Sequence, residues 1–190
     1  MKEKLTALVL AATMLAGSAA RADEYTDTIN VYKNAGESAA FFNNCYGYAV
    51  FPTIGKGGLG VGAAHGDGRV YENGKYVGDT SMTQVSVGFQ AGGQAFSQMI
   101  FFENKAAFDQ FTSGNFEFGA GVSAVAIKSG ASGSVGSTGA TASASSGSGK
   151  TGAGTAGNYR KGMAVFTIAK GGLMYEASLS GQKFSYKAGK

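Results

Sequence analysis

Val70-Tyr71-Glu72-Asn73-Gly74-Lys75-Tyr76-Val77 is the stretch that decides the fold. Both central residues of a two-residue hairpin turn need positive φ, which Asn followed by Gly tolerates best, and the flanking Val and Tyr suit paired strands. The segment therefore predicts an antiparallel hairpin. Downstream, Val85, Val87 and Phe89 alternate with Gln84, Ser86, Gly88 and Gln90, and Phe116 and Phe118 alternate with Asn115 and Glu117. That period of two predicts half-buried strands with the apolar residues inward and one wet face each. Gly92-Gly93 suggests a further turn or bulge, and His65-Gly66-Asp67-Gly68 reads as a polar turn.

Two segments carry helical spacing instead. Between Glu24 and Asn43, residues Tyr25, Ile29, Tyr32, Ala39 and Ala40 recur mostly at intervals of three and four, which predicts an N-terminal helix within 23–44, weakened or broken at Gly36. A short internal helix is expected over Lys105–Phe111, with Asn104 as its cap and Phe108 and Phe111 on one face. Strands dominate the remainder, so the expected class is mainly β (α+β), a curved or closed antiparallel sheet over 45–190.

An internal repeat links the two ends of the β region. Ala49-Val50-Phe51-Pro52-Thr53-Ile54-Gly55-Lys56-Gly57-Gly58-Leu59 returns as Ala164-Val165-Phe166-Thr167-Ile168-Ala169-Lys170-Gly171-Gly172-Leu173, identical at nine of ten positions once Pro52 is skipped. Each copy reads as a strand, a Lys-Gly-Gly turn and a second strand, so the copies should hold pseudo-equivalent places in one sheet. Between them, residues 128–158 are almost wholly Gly, Ser, Ala and Thr, a composition with little apolar area to offset ordering entropy. Most of it is expected to form a mobile loop, with one strand near Ser132–Thr141.

The first residues set the expected compartment. Lys2 and Lys4 precede an apolar run from Leu5 to Gly17, and Ala20-Arg21-Ala22 matches a small-residue cleavage site, so residues 1–22 read as a signal peptide. The run falls short of the roughly 20 residues a spanning helix needs. No Cys stands at the cleavage site to accept a lipid anchor. A periplasmic or secreted protein is expected. The leader holds three of the 16 Lys and Arg and one of the 12 Asp and Glu, so half of the basic excess leaves with it, and charge offers no argument for nucleic acid. Cys45 is the single cysteine and, without an intramolecular partner, reads first as a small buried hydrophobe.

Three runs carry partial catalytic or cofactor patterns. Ser148-Gly149-Lys150-Thr151 resembles the end of a phosphate-binding loop, but Ala144 stands where its first Gly belongs and no apolar strand precedes it. Gly58-Leu59-Gly60-Val61-Gly62-Ala63 fits a loosened dinucleotide fingerprint, a cheap match among 32 glycines. His65 is the only histidine, and it makes neither a ligand cluster with the scattered carboxylates nor a triad around a recognisable nucleophile. No enzyme, metal or cofactor is expected.

From Tyr46 onward the chain resembles the SYLF domain family, known in eukaryotes as lipid- and actin-associated modules and in bacteria as exported or lipoprotein forms. Tyr48-Ala49-Val50-Phe51-Pro52, Lys56-Gly57-Gly58, Gly60-Val61-Gly62, Gly66-Asp67-Gly68, Ser86 to Gln94, Phe116–Ala126 and the closing Gly162 to Leu179 carry the resemblance. It implies binding of phosphoinositide or other phospholipid, with actin binding in fungal members. In a bacterial envelope actin is not expected, which leaves anionic lipid or a membrane surface as the partner. Two other readings remain open, a scaffold contacting envelope proteins and a small outer-membrane β-barrel. The candidate lipid-binding residues are Lys56, Gly57 and Gly58 with Lys170, Gly171 and Gly172, because glycines allow close backbone approach and an unobstructed ammonium meets phosphate.

Overall fold

The computed structural model describes residues 24–59, 61–87, 94–119, 124–127, 159–170, 179 and 181–190. The signal-peptide reading, the Gly92-Gly93 turn, Phe89, the Gly/Ser-rich segment with its phosphate-loop-like run, and Gly171-Gly172 lie outside them. Helix α1 spans 24–34 and ends before Gly36; a series of turns leads to the single-turn α2 (Phe41–Asn44). Strands β1 (Gly47–Leu59), β2 (Val61–Glu72), β3 (Lys75–Val87) and β4 (Gln94–Phe102) follow, then α3 (Lys105–Thr112), β5 (Phe116–Glu117), β6 (Val125–Ile127), β7 (Met163–Lys170) and β8 (Lys183–Ala188). They form one sheet in the order β5-β8-β3-β2-β1-β4-β7-β6, antiparallel throughout except for β6 beside β7.

The predicted hairpin is the β2–β3 connection, with Asn73 at φ 48° and Gly74 at φ 80°, the paired positive values that a two-residue turn between twisted strands requires. Helix α3 also matches its local signals: the Asn104 side chain accepts from Ala107 N at 3.0 Å, and Ala107, Phe108 and Phe111 are buried.

The sheet curls strongly. Strands β1 and β8 are three places apart, about 14 Å in a flat sheet at ordinary strand spacing, yet the Phe51 and Phe184 rings lie 5.7 Å apart across the interior. Phe96, Ile100, Phe102, Val70, Met82 and Phe184 fill that interior with Phe108 and Phe111 of α3. Also buried there, Gln98 and Gln182 exchange reciprocal amide hydrogen bonds of 3.0 and 3.2 Å, so neither carboxamide is left unsatisfied. Helices α1 and α2 cover the opposite face along β1, β4 and β7, where Ile29, Tyr32 and Phe41 pack on Val50, Met99, Phe101 and Phe166.

Glycine explains how the interior accommodates these rings. Gly66 and Gly68 lie in the middle of β2, correcting the reading of His65–Gly68 as a turn. A Cβ on Gly68 would sit 2.6 Å from two Phe51 ring carbons, and one on Gly66 would sit 2.7 Å from Ile54 Cγ1. His65 and Asp67 take the alternate positions and point into solvent. A second correction concerns β3: Val85 is 70% exposed and Met82 is fully buried, so the face expected to be wet at Gln84 is the inner one. Alternation specified that two faces exist and left open which one the curl encloses.

The repeat occupies equivalent places with opposite faces. Strands β1 and β7 flank β4, both antiparallel to it, but Ala49 pairs with Ile100 whereas its counterpart Ala164 pairs with Phe101. This one-residue offset turns every equivalent side chain to the other face. Ala49, Phe51 and Ile54 enter the curl interior, while Ala164, Phe166 and Ile168 meet α1 and α2. Pro52, the residue skipped in aligning the copies, sits where β1 shifts register against both neighbours, a bulge suited to a residue without an N–H donor.

Candidate functional site

Lys56-Gly57-Gly58 is not a turn, as its composition suggested, but the last part of β1. Pairing continues through Lys56 with Ala64 and Gly57 with Ala63 to Leu59 with Val61, so the chain reverses between Leu59 and Val61. Gly58 is needed there: at φ 141° it passes so near Val61 that a Cβ would strike the backbone. The dinucleotide-like run is thus a hairpin tip, without the crossover helix such a site uses.

Lys56 and Lys170 end up at the same end of the sheet, opposite Gln94 and Ala95 of β4. Their surroundings differ because of the register offset. Lys170 shares the face that α1 covers; its Nζ donates to Thr53 Oγ1 at 2.6 Å and lies 3.6 Å from Glu24 Oε1, while the Thr53 hydroxyl donates to the same carboxylate oxygen at 2.8 Å. This cluster ties the first turn of α1 to β1 and β7. Lys56 is half-buried on the interior side of β1 and belongs to none of the ion pairs among the described residues. The structure thus brings the two lysines to one end without placing them in one pocket, and Gly171 and Gly172 lie outside the described residues.

The other chemical candidates, His65 and Cys45, lie apart from the two lysines and from each other. His65 Nε2 is 3.8 Å from Asp67 Oδ1 with both side chains largely in solvent, and its strand neighbours are Gly55 and Thr83. Among the described residues no group of three or more His, Cys, Asp or Glu is placed to hold a metal ion, and no helix is long and apolar enough to cross a membrane. Cys45 is half-buried, with Sγ 4.0 Å from the Phe42 carbonyl, and burial pushes its thiol pKa up, away from the thiolate.

Two features were not legible in the sequence. Outside the curl, the Arg69 guanidinium stands 4.3 Å from the Tyr25 ring and 5.5 Å from the Tyr76 ring, while Tyr48 stacks on Tyr71 at 5.1 Å. Burial pushes the Tyr48 pKa up to about 12. This aromatic strip anchors α1 to β2 and β3, and only the fold brings its members together. The second feature is the exposure of Val61 and Val85 near the β1–β2 tip, at 60% and 70%; alternation in β2 and β3 was the available signal, but not its direction.

Comparison with known proteins adds a lineage to this geometry. A family profile described as Ysc84, Las17-binding protein actin regulator, matches residues 83–188. Beta cell expansion factor A from Aeromonas veronii is 30% identical over 161 residues, covering 84% of this chain and 52% of that protein. The chain spans about half the length of this curated relative. With more than half of its residues matched by the profile, across β3 to β8 and the internal helix, the chain belongs to the Ysc84, or SYLF, family, for which a lipid-binding or scaffolding role is the supported functional class.

Proposed function

We propose that this chain is an exported, non-enzymatic protein that binds anionic phospholipid at the end of the sheet carrying Lys56 and Lys170. Family membership supports the functional class. The observation that carries the location is the convergence of the two lysines on one end, where residues 55–64 and 84–95 of the adjoining strands and their connections contain no Asp or Glu. Among the described residues at this end of β1, β2 and β4, the carboxylate beside the lysines is Glu24, which pairs with Lys170. Export rests on the leader-like residues 1–22, and cleavage after Ala22 would leave Asp23 as the first residue, next to the start of α1. A porin-like reading has less support: His65, Asp67, Asp79, Thr83, Lys183 and Lys187 are exposed on strands whose opposite face is packed with aromatic rings, the reverse of a lipid-facing barrel wall. Actin, named in the family description, would require cytoplasmic access that an exported protein lacks.

Vesicle co-sedimentation tests the reading. The protein should bind phosphatidylglycerol vesicles and not phosphatidylcholine vesicles, and Lys56→Glu should weaken binding at least about fivefold, on the scale of roughly 1 kcal/mol per basic residue near an anionic surface. Added salt should shrink the difference. Equal binding to both vesicle types, or none, refutes the proposal.

A further inference from the structure

The surface polarity of β2 and β3 changes along the strands. Outside the curl, Asp67 and His65 of β2 and Thr83 of β3 are exposed polar residues. Two residues nearer the tip, Gly57 of β1, Ala63 of β2 and Val85 of β3 stand in register across three strands. All three are exposed, and no side chain in that row can hydrogen-bond. Two residues further, at the backbone pairing of Val61 with Leu59 and Val87, Val61 is 60% exposed. Gly55 and Gly57 have nothing within 4 Å of an added Cβ, so β1 offers a smooth surface beside the valines.

We propose that this tip enters the hydrocarbon boundary of an anionic lipid bilayer, placing Val61 and Val85 below the phosphates with Lys56 at headgroup level. The inference rests on the lipid-binding reading above and assigns the mode of contact. Dimensions fit: Val61 lies two residues beyond the level of Val85, about 7 Å along the strands at about 3.3 Å per residue, within the roughly 5–10 Å to which interfacial elements bury their apolar faces. Polarity fits as well, since His65 and Thr83 mark the level at which the surface becomes wet. The charge is complementary, because Lys56 flanks the tip and residues 55–64 and 84–95 contain no acid. A second copy of the chain is a poorer occupant: two valines, an alanine and glycines offer far less than the ~1,200 Å² of a stable protein interface.

The chain contains no tryptophan, so a single introduced one reports its own surroundings. Val85→Trp, and separately Val61→Trp, should shift to blue emission on mixed phosphatidylglycerol–phosphatidylcholine vesicles and be quenched by lipids brominated near the top of the acyl chain. Tyr76→Trp, at the far end of β3, should keep its emission. Val61→Asp with Val85→Asp should weaken vesicle binding roughly tenfold or more, and this loss should persist in high salt, because apolar burial is not screened. Vesicle binding with unshifted, unquenched emission at both tip positions overturns the insertion mode and leaves lipid binding standing. Absence of vesicle binding by the unmodified protein overturns both. A concentration-dependent blue shift without vesicles, accompanied by dimer sedimentation, would give the tip to a second copy and likewise overturn the proposal.

Discussion

Replacing Gly68 by Ala should destabilise the protein although the new side chain is a single methyl. Its Cβ would lie 2.6 Å from Cδ1 and Cε1 of Phe51 and 2.9 Å from the Val50 carbonyl oxygen, about 1 Å inside ordinary carbon contact for the ring. Phe51 has no free direction: it is fully buried and faces Phe184 across the curl. Overpacking of this kind costs about 1–3 kcal/mol, while removing a strand glycine returns about 0.5–1 kcal/mol of backbone entropy. The expected net loss is therefore about 1–2 kcal/mol, read as a lower urea midpoint at unchanged slope. Gly57→Ala is the control, since an added Cβ there has nothing within 4 Å and the residue is exposed; it should be neutral or slightly stabilising. In Gly68→Ala with Phe51→Leu the losses should be less than additive by about 1 kcal/mol, because the smaller side chain relieves the clash. A Gly68→Ala variant as stable as the Gly57→Ala control would refute the assignment of Gly68 to the packed interior.

Two further outcomes follow from buried tyrosines. Tyr32→Phe should cost about 1–2 kcal/mol, because the hydroxyl of this fully buried residue makes the contacts to Ser97 O and Oγ at 3.0 and 3.1 Å that join α1 to β4; an unchanged urea midpoint would show that α1 is not held there. Stability should also fall on the alkaline side. Burial raises the Tyr32 and Tyr48 pKa values, the latter to about 12, so the folded state favours the neutral phenols. Their contribution is complete below the unfolded value of about 10 and is lost as pH rises from about 10 towards 12. Urea midpoints should be flat below about pH 9 and decline above pH 10, less steeply in Tyr32→Phe, and a flat profile through about pH 12 would contradict the burial of these rings.

Short-range chemistry was legible in the chain itself. Asn73-Gly74 specified its turn because few residue pairs accept two successive positive φ angles, and Asn104 specified the start of α3 because a capping side chain acts on a backbone N–H three residues away. The end of α1 at residue 34, before Gly36, also agrees with the sequence reading. The family resemblance was legible too, since it lies in the order and spacing of motifs. What the sequence could not determine was which neighbour each glycine and each alternating face would meet. Gly66, Gly68 and Gly58 have the composition of turns, but a strand uses glycine equally where a ring or another backbone crosses closely, and the crossing groups are Ile54, Phe51 and Val61. The repeat behaves in the same way. Its copies are nearly identical, yet a one-residue offset against β4 sends Phe51 into the curl and Phe166 beneath the helices, and sets Lys170 against Glu24 while Lys56 remains outside that cluster. Local sterics are written in adjacent residues; register and the direction of curl arise from pairing between segments far apart, and only the tertiary structure decides them.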